Sequence, residues 1–126
     1  MVINDGSTDN TKNILDDMQK DWPILYVITN PDLGYDISRV VRNLNSAIEF
    51  AQEKGLPKTD YHMIATDDTV YPRDYAQKII SYMDSNPLVA VASGNYANQQ
   101  FVSPHGAGRF VRNSNFEKSI EEIGLC

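Results

Sequence analysis

The chain has 126 residues, of which 41 % are hydrophobic and 22 % charged, the composition of a folded globular domain and not of a disordered one. Eleven Lys+Arg against seventeen Asp+Glu leave a formal charge of −6, which excludes a non-specific nucleic-acid binder because phosphate binding needs a basic face. The acidic balance suits a metal site, or a small anionic ligand neutralised by a bound cation.

Cys126 is the single cysteine, so no intrachain disulfide can form. No apolar run approaches the roughly 18 residues that cross a bilayer, and no signal peptide precedes the first motif. A reducing, cytoplasmic location is therefore expected. Short apolar runs alternate with amphipathic stretches and no Ser/Pro/Gly-rich linker intervenes, which predicts one α/β domain with a mostly parallel sheet flanked by helices.

In chain order, Val2-Ile3 end a strand and Gly6 to Asn10 make a turn. A helix is expected over about Asn10 to Lys20, with Ile14, Leu15 and Met18 on one face and Trp22 closing it against the sheet. Pro23 breaks it, Ile24 to Ile28 read as a buried strand, and Asn30 to Gly34 carry turn chemistry. Ile37, Val40, Val41, Leu44, Ile48 and Ala51 make one apolar stripe on a long helix, stopped by Gly55 and Pro57. Tyr61 to Ala65 is a strand, Arg73 to Met83 a helix, and Leu88 to Ala92 a further strand. From Gly94 to Arg112 the pattern weakens to a loop or irregular hairpin, followed by an amphipathic tail with Phe116, Ile120 and Ile123.

Two segments carry chemistry. In Asn4-Asp5-Gly6-Ser7-Thr8-Asp9, a strand delivers Asp5 to its C-terminal end, where open α/β sheets bind ligands. Gly6 lets the backbone come close to a ligand. Ser7, Thr8 and Asp9 are of helix-capping type, and capping is the simpler account of them. In Thr66-Asp67-Asp68-Thr69, two adjacent carboxylates at a strand end call for a neutralising cation. Mg²⁺ or Mn²⁺ takes oxygen ligands and keeps phosphate oxygens in its shell. Neighbouring side chains of an extended segment point opposite ways, so one aspartate would face the metal and the other the nucleotide or the backbone. The competing reading has Asp68 capping the next helix or closing an Asx turn. With a strand and a long helix between them, the two acidic ends are expected at the same edge of a parallel sheet.

Taken in order, NDGSTD and TDD resemble the family 2 glycosyltransferases, over about residues 2–95. Asn4 stands where the family's DDGSTD loop has its first acid, and Thr66 where many members carry a further aspartate in the DXD motif. Asn30 to Arg39 resembles the family's N-x-G…R stretch. The resemblance implies a partial GT-A (Rossmann-like) domain that transfers a sugar, with inversion, from a nucleoside-diphosphate sugar to an acceptor hydroxyl. It implies Asp5 at the nucleobase with Arg39 near it, Asp67 near the ribose, and Asp68 on a Mn²⁺ or Mg²⁺ bridging the phosphates. UDP is the commonest nucleotide in such a family.

The resemblance supplies no general base here. Glu117, Glu121 and Glu122 read as a solvated face of the tail, and His105 as part of an exposed Gly-rich loop. A complete family member has a strand and a helix ahead of the NDGS loop and an acceptor half after the DXD strand. The chain is thus expected to be an incomplete nucleotide-sugar-binding domain. An open sheet edge would then pair with the Tyr61–Ala65 strand or with a second copy of the chain. A competing reading is a non-catalytic remnant that binds a nucleotide weakly or serves as an assembly module. A receiver-type phosphotransfer domain is excluded by the order of its acids and lysine.

Overall fold

The computed structural model describes residues 1–95, 103–104 and 106–114, and the chain divides into two compact units, Met1–Pro57 and Lys58–Cys126. His105, the tail glutamates 117, 121 and 122, and the apolar tail positions lie outside the described residues.

The first unit runs β1 (Val2–Asp5), α1 (Thr11–Asp21), β2 (Val27–Asn30) and α2 (Arg39–Glu53). β1 and β2 are parallel, in register from Val2↔Val27 to Asp5↔Asn30, so their C-terminal ends lie level. Helix α1 makes the crossover that parallel pairing needs. Its start is marked by Asp9, whose Oδ1 accepts the Thr11 N–H at 2.9 Å. Its end is Trp22, whose N–H bonds the Met18 carbonyl ahead of Pro23. Trp22 is 62 % exposed, so it caps the helix without closing it on the sheet. Helix α2 ends on Gly55 at φ +61, with Gly55 N–H on the Gln52 carbonyl and Leu56 N–H on the Ala51 carbonyl. That paired closure is the Schellman motif, and it needs a residue that tolerates positive φ.

The apolar stripe on α2 is half covered. Leu44, Ile48 and Ala51 are partly buried, and Phe50 meets Tyr26 edge-on at 5.8 Å. Val40 and Val41 are exposed, as is Ile37, which lies ahead of the helix because α2 begins only at Arg39. Lengths account for this: fifteen helical residues span about 22 Å, while a four-residue strand spans about 13 Å.

The second unit contains β3 (Tyr61–Ile64), α3 (Tyr75–Ser85), β4 (Val91–Ala92) and β5 (Arg109–Arg112). Its sheet has the order β3-β5-β4, with β5 antiparallel to both neighbours. β3 and β4 therefore run parallel to each other, as a β–α–β crossover through α3 requires, and β5 fills the slot between them. The molecule is α/β, with parallel pairing in the first unit and the antiparallel β5 added in the second. In the structure β1 pairs with β2, and the Tyr61 strand pairs with β5.

β5 falls in the stretch expected to be irregular. Its four residues begin and end with arginine, a pattern with little strand character of its own. Phe110 makes it a strand by burial: with Met83 and Ala92 it forms the core, packed by Tyr61, Met63, Tyr75, Ile79, Ile80 and Val89. Arg112, two residues along and so on the same face of the strand, is held beside this core. Its Nη2 donates to the Met83 carbonyl at 2.6 Å, its Nε to the Val89 carbonyl at 3.3 Å, and its guanidinium lies 5.0 Å from the Tyr61 ring centre. Tyr75 ties the strand's entry, donating to the Gly108 carbonyl at 2.7 Å and accepting the Gly94 N–H at 2.8 Å.

Candidate functional site

Within the first unit, the level ends of β1 and β2 bring four polar side chains together. Asp5 projects from the end of β1, and Arg39 opens α2. Arg39 Nε lies 3.2 Å from Asp5 Oδ2, with side-chain exposures of 14 % and 29 %. The contact is an ion pair and not an aligned hydrogen bond, so Nε and Nη1 have no hydrogen-bond partner among the described residues. Nη2 donates to the Gly34 carbonyl at 2.6 Å, tying the arginine back to the turn it follows. Asp5 Oδ1 accepts from Asn30 Nδ2 at 3.2 Å.

The loop after β1 is built by Asn4 and Gly6. Asn4 is 4 % exposed, the one buried residue of this unit, and its Oδ1 accepts the Ser7 N–H at 3.1 Å. The amide oxygen thus closes the turn, and the buried Nδ2 has no hydrogen-bond partner among the described residues. Gly6 takes φ +80, and a Cβ there would lie 2.5 Å from Asp32 Cα and 2.9 Å from the Pro31 carbonyl. Two turns, one after each strand, thus touch backbone to backbone beside Asp5. Ser7 and Thr8 are exposed, and Asp9 serves the helix start.

Within the second unit, Asp67 and Asp68 follow β3 and are exposed. Asp68 Oδ1 accepts from Thr66 Oγ1 at 2.6 Å and from Thr69 Oγ1 at 3.2 Å. These hydroxyls, Thr66 first, hold its carboxyl below the usual 3.8. Asp68 does not cap α3, whose N-cap is Asp74. Nothing among the described residues hydrogen-bonds to Asp67.

Among the described residues there is no group of three or more His, Cys, Asp or Glu that could hold a metal. The donor chemistry at Asp68 nevertheless fits a hard divalent cation that brings most of its own shell: an exposed carboxylate, next in sequence to a second aspartate, is the oxygen ligand type such a cation takes. No helix among the described residues is long and apolar enough to cross a membrane.

Sequence reasoning missed Asn43 as a site residue, and it read Asn30 only as the start of a turn and of the N-x-G…R stretch. Asn30 Nδ2 reaches both Asp5 Oδ1 and Asn43 Oδ1, the latter at 3.0 Å. Their signal was present but faint: Asn30 ends a strand ahead of a Pro-Gly turn as Asp5 does, and Asn43 lies one helical turn after Arg39. Arg42, by contrast, is on the surface, paired with Asp36.

A sequence model of the family described as Glycosyl transferase family 2 matches residues 1–123, and the chain belongs to that family. No curated protein and no solved structure matches it.

Proposed function

We propose that the chain forms the nucleotide-sugar-binding part of an inverting glycosyltransferase. In this reading Asp5 accepts a hydrogen bond from the nucleobase, with UDP as the nucleotide, and Arg39 holds that carboxylate in place. Asp67 would serve the ribose, and Asp68 would hold a Mn²⁺ or Mg²⁺ that neutralises the diphosphate.

The acceptor hydroxyl oxygen forms a bond to the anomeric carbon as the bond from that carbon to the diphosphate oxygen breaks. The hydroxyl proton passes to a base outside the residues assigned here, and the electron pair leaves with the nucleoside diphosphate. The metal, when bound, supplies Lewis-acid stabilisation of the leaving diphosphate. The chain's own part is to offer an ionised ligand and to orient the nucleotide. Asp68 stays ionised because two hydroxyls donate to it. Asp5 has one orientation because each of its oxygens has a different neighbour.

The observation that carries this reading is the exposed Asp68 carboxylate, clamped between Thr66 and Thr69 at the end of a strand, in a chain of this family. Calorimetric titration of UDP with and without Mn²⁺ tests it. Metal-dependent binding that disappears in Asp68→Ala supports the assignment, and unchanged affinity in that variant removes it. Asp5→Asn should weaken UDP more than inorganic diphosphate, and equal losses would move Asp5 to the phosphates. A donor-hydrolysis assay then separates a working transferase from a module that binds nucleotide without turnover.

A further inference from the structure

We infer that Asn30 is a positioning residue for the Asp5 carboxylate, and that Asn43 sets the orientation of Asn30. The inference rests on the reading of Asp5 as the nucleobase acceptor. It explains how a partly buried aspartate is selective for one donor direction.

Asp5 and Asn30 are register partners at the ends of adjacent parallel strands, so their side chains stand on one face of the sheet. An ionised carboxylate only accepts hydrogen bonds, so it dictates that the nitrogen end of Asn30 faces it. That nitrogen carries two hydrogens, and the structure gives each an acceptor: Asp5 Oδ1 at 3.2 Å and Asn43 Oδ1 at 3.0 Å. With both hydrogens committed, the amide plane cannot turn without losing a bond. Asp5 Oδ2 meanwhile faces Arg39 Nε.

Arg39 and Asn43 lie four residues apart on α2, hence on one face of that helix. One helical turn therefore supplies both the cation for one carboxylate oxygen and the acceptor that orients the donor to the other. Because the four groups are partly buried, water competes poorly for these bonds, and the carboxylate keeps one rotamer before ligand arrives. A nucleobase donor then meets a prepared acceptor instead of ordering it.

The test combines ligand affinity with a ligand-free signal. With Mn²⁺ present, Asn30→Ala should weaken UDP about tenfold, the loss of one hydrogen bond to a charged group, and change inorganic diphosphate less than twofold. Asn43→Ala should follow the same pattern with a smaller loss. A general loosening of the fold would weaken both ligands alike, and that outcome overturns the proposal. In the ligand-free protein, the Asn30 side-chain amide signals in a ¹⁵N–¹H spectrum should shift in both Asp5→Ala and Asn43→Ala. Signals that stay in place in either variant overturn it, including when Asn30→Ala does not fold. If Asp5→Asn weakens UDP while Asn30→Ala does not, the positioning role falls and the base-site reading stands. If Asp5→Asn leaves UDP affinity unchanged, the base-site reading falls, and the amide signals alone decide whether Asn30 holds Asp5.

Discussion

Gly6→Ala isolates the contact between the turn after β1 and the turn after β2. At φ +80 an L side chain sits in the left-handed region, at a cost of about 1–2 kcal/mol. Alanine also restricts the unfolded chain relative to glycine, which returns about 0.4–1 kcal/mol. Those two effects operate equally at Gly34 and Gly55, with φ +74 and +61, where an added Cβ meets nothing within 4 Å. At Gly6 the Cβ would meet Asp32 Cα at 2.5 Å, Asp32 N at 2.8 Å and the Pro31 carbonyl at 2.9 Å. All three are backbone atoms, so no rotamer change relieves them, and overpacking adds about 1–3 kcal/mol. Gly6→Ala should thus cost roughly 1–5 kcal/mol, and Gly55→Ala about 0–1.6 kcal/mol. Urea unfolding followed by far-UV circular dichroism and by Trp22 fluorescence gives both midpoints. Because the Pro31-Asp32 turn leads to Gly34, whose carbonyl holds Arg39, Gly6→Ala should also weaken UDP binding, while Gly55→Ala should not. Equal midpoint shifts at Gly6 and Gly55 would refute the close approach of the two turns.

Phe110→Ala removes the largest of the buried core side chains on β5 and should cost about 3–5 kcal/mol, read by denaturant unfolding; a loss under about 1 kcal/mol would show that the strand is held by its ladders alone. Arg112→Leu leaves the Met83 and Val89 carbonyls without that donor and should cost about 1–3 kcal/mol in the same assay. Asp36 has its carboxyl held below 3.8, first by the Ser38 hydroxyl and then by the Ser38 backbone N–H, with Arg42 adding to them. Its contribution to stability is therefore present above 3.8 and is lost as the pH falls through the lowered folded value. Ser38→Ala should move the Asp36 midpoint up toward 3.8 in an NMR titration, and an unmoved midpoint would leave the backbone N–H and Arg42 as the cause. Asp68→Ala, at an exposed position, should change stability by no more than about 0.5 kcal/mol in urea unfolding while removing Mn²⁺-dependent UDP binding.

The two acidic loops were legible in the sequence because their signals are local. A short apolar run, an acid and a glycine turn place Asp5 at a strand end, and the same logic places Asp67-Asp68 after Tyr61 to Ile64. The long α2 was legible through its apolar spacing, and its end through Gly55. Other features depended on groups distant along the chain. β5 became a strand because β3 and β4 leave unpaired backbone groups between them and because Phe110 has a core to enter, neither of which Arg-Phe-Val-Arg states by itself. The exposure of Val40 and Val41 depended on how little of α2 two four-residue strands can cover. Gly6 reads as a turn glycine from its neighbours, but only the approach of Asp32 makes any larger residue collide. The Asn43–Asn30–Asp5–Arg39 arrangement is tertiary in the same sense. Hydrogen-bond direction and ion pairing depend on ångström distances between side chains from two strands and a helix, and the register of β1 on β2 together with the rotation of α2 decides those distances.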